Sequence, residues 1–520
     1  MATFFPPADE FRLARMVSTV DRATWVFWAA AGAILGGCAT HAANGHWLNQ
    51  PNRDLFQHTA VLRVLIDDIY HPANPYVADN EGSRHFHPYW VAMAFLARSF
   101  GWTVRQTIGV GGFLTLGTLA TGIFQFGRRY FRSNWGPFAL LVTLTLGWSL
   151  PLSHTGFLSI PTLAEGAAYP AVLLSGLSLI SWAIIIDTLE FQKTGWLLVP
   201  LVAIMFATHQ LGAGLGLIVG TSMILLWPGV VWPRRGWLLL LLAGGLLLST
   251  VWPYHNSFDV LRRAGNPTWK GSPDFFLPYY LVAIFVPALI GIVGLRRPIV
   301  AGTGRPLLLA LALCIGAFVA CEFGFLTGMR FAPMAATLLQ IGLASTLVRI
   351  LNDPSGASDR VKLTTVSVIF GFILFQLLML VLFYYPKERR DEDRFGDVQA
   401  AAAYLTKDLP PNEIIAAYDV ASWPVVAAGH RVVSIPWPEP MIVDLAERQR
   451  MTEQMFDPLL SKLHRQALFR QAKVRVMILD LRFGPNGHWT MQSLGPLIAQ
   501  AHSFRRSGSL VRFDVISDEK

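Results

Sequence analysis

Eleven predominantly apolar stretches, at approximately 24-44, 103-127, 136-153, 167-187, 195-208, 211-228, 236-253, 275-295, 306-322, 331-350 and 363-385, set the terms on which this chain can fold. A helix needs about 17 to 25 such residues to cross a hydrocarbon core, where nothing but the chain itself can satisfy a backbone N–H or C=O. So many runs predict an α-helical polytopic membrane protein of about 11 transmembrane helices. The charge shows where the membrane part ends. Residues 387–520 hold 18 Lys/Arg and 17 Asp/Glu, against 24 and 16 in all of the first 386. A membrane body, 1-386, is therefore expected to precede a soluble α/β domain, 387-520. The formal net charge of +9 lies almost wholly in the body. There it reads as topology and not as the footprint of a nucleic acid.

Orientation follows from Lys and Arg in the short connections. One alternate set carries Arg12, Arg15 and Arg22, then Arg128, Arg129 and Arg132, Lys193, Arg234 and Arg235, Arg296, Arg297 and Arg305, and finally Arg349, Arg360 and Lys362. The opposite set, 153-166, 208-211 and 322-330, holds only Arg330. The N-terminus is thus expected in the cytoplasm, with loops 45-102 and 254-274 and the C-terminal domain outside it, periplasmic if the membrane is a cell inner membrane. The N-terminal segment leads into the first apolar run without a small-residue cleavage site and reads as a retained span. Cys38, Cys314 and Cys321 lie in apolar segments without metal-ligand spacing and read as core residues. A transporter is expected to place polar groups near the bilayer midplane, often in symmetric half-helices. This sequence concentrates them in its outer loops.

The first outer loop, 45-102, holds His46, His58, His71, His85 and His87, five of the 13 histidines. Within it, Arg53-Asp54-Leu55-Phe56-Gln57-His58 opens an amphipathic run to Tyr70. Asn52 or Asp54 could start that helix as a cap, and His58 falls one turn from Asp54 on the same face. His71-Pro72-Ala73-Asn74-Pro75-Tyr76 reads as a turn, and His87-Pro88-Tyr89 opens a short interfacial helix, 88-99. Taken singly, Asp54 is as well explained as a cap, and each histidine as a satisfied loop residue. Their concentration also fits a site, because a carboxylate at a membrane surface can take the proton of a sugar hydroxyl while an imidazole binds substrate.

An aspartate in an Asp-Leu-Phe-x-His setting, an Asn-Pro turn and a His-Pro-Tyr helix start, all behind a first span, resemble the polytopic membrane glycosyltransferases of the GT-C superfamily. The eleven-span layout with a C-terminal extracytoplasmic α/β domain is similar too. The resemblance implies a polyprenyl-phosphate-linked sugar donor, mannosyl- or arabinosyltransferase-like, and a glycan, lipid or protein acceptor. It gives Asp54 the deprotonation of the acceptor, and it gives Arg330, at the outer end of a late span, the lipid-phosphate leaving group. Arg53-Asp54-Leu55-Phe56 holds one carboxylate and no Asp-x-Asp, so no metal ligand set is assigned. A divalent cation stays open as a cofactor.

The other outer loops add candidates. Glu165 either binds a sugar hydroxyl or a metal, or favours the positive end of the helix that follows. His209, in Thr208-His209-Gln210, faces the same side. The third outer loop carries His255, Arg262, Arg263 and Lys270 on the side where cations are not expected, which fits either a substrate phosphate or lipid headgroups. In the C-terminal domain, apolar runs at 413-417, 431-435, 474-480 and 512-516 predict strands, with helix at about 442-472. Asp419, His430 and Trp437 fall at apparent strand ends, and the domain is expected to hold acceptor or cover the site. Two rival readings remain: a lipid-linked polysaccharide transporter, and a polymerase or ligase working through Arg and His without a catalytic aspartate.

Overall fold

The computed structural model describes residues 22–44, 53–78, 82–148, 156–191, 193–264, 290–296, 298–322, 331–352, 367, 370–371, 373–384, 398–437, 439–484 and 488–515. The chain divides into two compact units that do not follow its linear order. One takes Met1–Thr40, Phe113–Leu247 and Lys270–Val381, and the other His41–Gly112, Leu248–Trp269 and Leu382–Lys520. The first outer loop, and the third as far as Trp269, thus share a unit with the C-terminal domain.

Among the described residues five helices are long and apolar enough to span: Arg22–Ala43, Val104–Phe131, Pro170–Phe191, Trp232–Val251 and Phe331–Asn352. Five shorter apolar helices, Gly136–Leu146, Leu198–Thr208, Gln210–Leu226, Arg305–Ala320 and Ile373–Leu382, fall where further spans were expected. Most of the expected span 275-295 lies outside the described residues. Trp25, Leu240 and Leu247 are well exposed on these helices, as side chains facing lipid must be.

Inside the helical unit, side-chain amides satisfy carbonyls that a helix end leaves open in a solvent without hydrogen bonds. Gly136–Leu146 stops after 11 residues. Just past its end, Gly147 O accepts from Gln340 Nε2 at 3.2 Å and Trp148 O from Gln376 Nε2. The basic connections are tied to one another: Asp187 receives Arg129 at 2.7 Å and Lys193 at 2.8 Å, Glu190 pairs with Arg132, and Ser133 bonds Asn352 at 2.8 Å.

The C-terminal domain is a five-stranded sheet in the order β2-β1-β3-β5-β4. Its strands are β1 (Ile414–Ala417), β2 (Arg431–Val432), β3 (Val476–Asp480), β4 (Ala501–Ser507) and β5 (Leu510–Val515). The first three run parallel, and β5 and β4 are antiparallel. Phe456, Met477, Trp489, Leu494 and Phe513 fill one core cluster. Four strands match the sequence expectation. β4 was not expected, because Ala-His-Ser-Phe-Arg-Arg-Ser is polar on both faces, as an edge strand tolerates. Before the sheet, Asp408 accepts from Arg505 Nη2 at 2.8 Å and Arg512 Nη1 at 2.6 Å. The Arg505 hydrogen bond, with that from Arg512, holds its carboxyl well below the usual range. A carboxylate depressed in this way stabilises the fold above its unfolded pKa of about 4 and stops doing so as pH falls through the folded value. Asp408→Asn should therefore lower the thermal unfolding midpoint at about pH 7, with a difference from wild type that narrows as the pH is brought below about 4. The effect should be modest, since the side chain is 45% exposed and solvent screens it.

Candidate active site

Arg53–Asp67 forms one helix with Asp54 in its first turn, half-buried. Asp54 is therefore inside the helix and does not cap it, and Asn52 lies outside the described residues. One turn on, His58 is buried, and its Nδ1 accepts from Trp90 Nε1 at 3.0 Å. That bond places the His58 proton on Nε2. Trp90 is brought there by Pro88–Phe100, whose first turn is capped by His87: its Nδ1 accepts from Trp90 N at 3.4 Å. The His-Pro-Tyr start thus marks a helix N-terminus, and His87 holds the backbone of that helix.

The segment between these helices is organised by Asn74, which is fully buried. Its Oδ1 accepts from Tyr76 N at 2.9 Å and Val77 N at 3.1 Å, and its Nδ2 donates to Gly82 O at 3.2 Å. The turn carries Val77 to a parallel bridge with Val432, so the loop extends the edge of the sheet at β2. It also sets the buried Tyr76 ring edge-on to His85, 6.1 Å between centroids, and to Trp423 at 5.9 Å. His85 in turn meets His58 edge-on at 5.6 Å. Burial raises the Tyr76 phenol well above its ordinary pKa, followed by the Glu439 charge, and Asp54 acts in the same direction.

Two other segments close on this loop. From the third outer loop, Trp252 Nε1 donates to Phe86 O at 2.7 Å and Tyr254 OH to Ile69 O, with His255 buried beside them in sequence. From the C-terminal domain, Glu439 is 3% exposed, accepts from Arg84 N at 3.3 Å, and faces Arg84 Nε at 3.2 Å and His85 Nε2 at 3.6 Å. Burial raises the Glu439 carboxyl while Arg84 opposes the rise. Farther along, Arg63 Nη2 donates to Ala427 O at 2.7 Å. Gly429, at φ +103°, lies so close that a Cβ there would come within 2.9 Å of Arg63 Nη1.

Of the expected site residues, Asp54, His58, His85 and His87 are gathered in this one loop, with His255 in the same unit. Arg262 pairs with Asp259 at 3.4 Å and is 77% exposed, so it projects outward from its short helix, Ser257–Ala264. Arg263 Nη1 instead donates to Pro440 O at 3.3 Å. Lys270 and Arg330 lie outside the described residues. Glu165 and His209 belong to the other unit. Glu165 ends the helix Ile160–Glu165. His209 is the extended residue between Leu198–Thr208 and Gln210–Leu226, and its Nδ1 accepts from Gly212 N at 2.8 Å. In the C-terminal domain, His430 is buried, and burial together with Arg63 pushes its pKa down. Asp419 takes a positive φ of 47° after β1, and Trp437 is exposed. Among the described residues no three or more His, Cys, Asp or Glu side chains are gathered to hold a metal ion.

Sequence reasoning passed over Arg84 and Glu439. The signal was a lone carboxylate between two prolines in an otherwise apolar stretch, Ile435-Pro436-Trp437-Pro438-Glu439-Pro440-Met441.

No family model matches the chain, and no curated protein matches it in sequence. Solved structures do share its fold. Against the archaeal oligosaccharyltransferase AglB from Archaeoglobus fulgidus, in complex with an inhibitory peptide and a dolichol-phosphate, the TM-score is 0.52 at 11% identity, over 94% of this chain and 75% of that one. Against ArnT from Cupriavidus metallidurans bound to undecaprenyl phosphate it is 0.51 at 14% identity, over 95% and 98%. The chain has the GT-C fold that its first outer loop resembled.

Proposed function

We propose that this protein is a GT-C-type glycosyltransferase of the cell inner membrane that moves a sugar from a polyprenyl phosphate to a glycan, lipid or protein acceptor in the periplasm. The observation that carries the reading is the gathering of Asp54, His58 and His85 in one loop, closed over by the third outer loop and the C-terminal domain. The shared fold supports the class of donor, since one solved structure of that fold holds dolichol-phosphate and another undecaprenyl phosphate.

In this reading Asp54 takes the proton from an acceptor hydroxyl. The freed oxygen attacks the anomeric carbon as the bond from that carbon to the phosphate oxygen breaks. A new glycosidic bond forms and the polyprenyl phosphate leaves with the electron pair. Negative charge grows on the leaving oxygen along the way, so cations there lower the barrier more than they strengthen substrate binding. Arg262, Lys270 and Arg330 are assigned to that phosphate, and His58, His85, His87 and His255 to the walls around the sugar. Glu165 and His209 are kept as sugar-binding candidates.

The test uses membranes containing the protein, incubated in turn with undecaprenyl-phosphate-linked hexoses and pentoses carrying a radiolabel. One of these donors should pass label to a product that survives mild acid. A strain lacking the protein should accumulate that same donor. Label that crosses sealed vesicles without forming any glycosidic bond would overturn the proposal in favour of transport.

A further inference from the structure

We propose that Glu439, supplied by the C-terminal domain, is a positioning residue for His85, acting through Arg84. The proposal rests on the function proposed above, which puts His85 beside the substrate, and extends the site to a part of the chain expected to hold acceptor or cover the site.

The geometry is a three-residue relay inside one unit. Pro440 keeps the preceding Glu439 out of helical backbone, and the carboxylate of Glu439 turns into the protein at 3% exposure. A buried carboxylate is tolerated only where charge and hydrogen bonds answer it. Arg84 answers it twice, by its backbone N–H at 3.3 Å and its Nε at 3.2 Å. The same Nε lies 3.4 Å from His85 Nε2 and donates to it. An Nε2 that accepts from a guanidinium carries no proton of its own, so His85 is held in the tautomer with its proton on Nδ1. Among the described residues Arg84 and Glu439 meet the ring at Nε2, and His58 at 5.6 Å and Tyr76 at 6.1 Å face it edge-on.

The consequence is a division of labour. With Nε2 occupied, His85 serves as a neutral donor and does not compete with Asp54 for the acceptor proton. Glu439 secures this by holding the Arg84 side chain in place. Without the carboxylate the guanidinium loses the charge that draws it in beside Nε2, and its side chain is already 27% exposed to solvent.

The link can be read without any substrate. Purified full-length protein in lipid nanodiscs is treated with diethyl pyrocarbonate, which attacks an unprotonated imidazole nitrogen, and modified histidines are followed by mass spectrometry. Glu439→Gln should raise the rate at His85 several-fold and leave the exposed His71 unchanged, while Glu439→Asp should stay near wild type. The second readout is transfer from the undecaprenyl-phosphate-linked sugar identified above. Glu439→Gln should lower kcat about ten-fold with the donor KM within two-fold, yet cost nothing further in a His85→Asn background, as expected for residues acting as one unit. An unchanged His85 rate, or an equal kcat loss in both backgrounds, overturns the proposal. If no donor is turned over, the proposed function fails while the modification result still decides the Glu439–His85 link.

Discussion

Replacing Asp54 with Asn should slow sugar transfer about a hundred- to ten-thousand-fold, the range lost when a general base is removed, while inserted protein accumulates as before. The substitution separates the two roles that sequence alone left open. As a first-turn residue of Arg53–Asp67, Asp54 favours the positive end of the helix by about 0.3 to 1 kcal/mol, and Asn forfeits only that charge while keeping the size and an acceptor oxygen. A thousand-fold change in rate corresponds to about 4 kcal/mol of barrier, several times what the helix end can supply. Magnitude therefore decides between the roles. The measurement is an initial rate in proteoliposomes with an undecaprenyl-phosphate-linked sugar, normalised to the monodisperse protein recovered by size exclusion. Wild-type transfer by Asp54→Asn, together with loss on replacing Arg84 or His85, would point instead to a polymerase or ligase that works without a carboxylate base.

What the sequence made legible was local and periodic. Apolar run length placed the described spans to within a few residues, as at Val104–Phe131 and Phe331–Asn352. A proline after a polar residue placed the start of Pro88–Phe100, and hydrophobic runs bounded by turns placed β1, β2, β3 and β5. What escaped depended on distance in sequence or on roles a residue type does not reveal. Arg84 and Glu439 are 355 positions apart, and no local pattern encodes their meeting. His87 and His209 are substrate-binding candidates by residue type and place in a loop, and that type does not reveal a second task. In the structure each ring uses Nδ1 to hold the backbone N–H of a helix first turn, work that Asp or Ser more often does.

The division into units changes how the outer segments should be perturbed. A chain cut at residue 386 would look, from charge alone, like a clean separation of membrane body from soluble domain. The bridge of Val77 to Val432, the bond of Arg63 to Ala427 and the pairing of Arg84 with Glu439 all cross that cut within one compact unit. The loop that carries Asp54 thus owes its conformation to strand and carboxylate partners that arrive more than 300 residues later.

Gly176→Val should remove most of the folded protein from the membrane. Gly176 lies in Pro170–Phe191, where a Cβ would come within 2.7 Å of Leu119 N and 2.8 Å of Thr118 C, both backbone atoms of Val104–Phe131. The approach is reciprocal, since a Cβ on Gly122 would strike Gly176 O and meet Leu179 Cβ at 3.0 Å. In lipid no hydrophobic drive pulls apolar helices together, and close backbone contact at small residues supplies part of what does. A flexible side chain could move away from an added methyl group, but a helix backbone cannot, so the two spans would have to separate along their packed length. Overpacking a core typically costs about 1 to 3 kcal/mol, and a backbone obstacle puts this case at the upper end, a hundred-fold or greater shift toward misassembled chains. Gly176→Ala should show a weaker form of the same loss. Gly214→Ala is the control, because nothing lies within 4 Å of a Cβ there and alanine favours a helix over glycine by about 1 kcal/mol. Fluorescence-detected size exclusion and thermal unfolding of the solubilised variants give the readout, and a Gly176→Val protein that elutes and melts as wild type does would show that the two helices do not pack through this glycine pair.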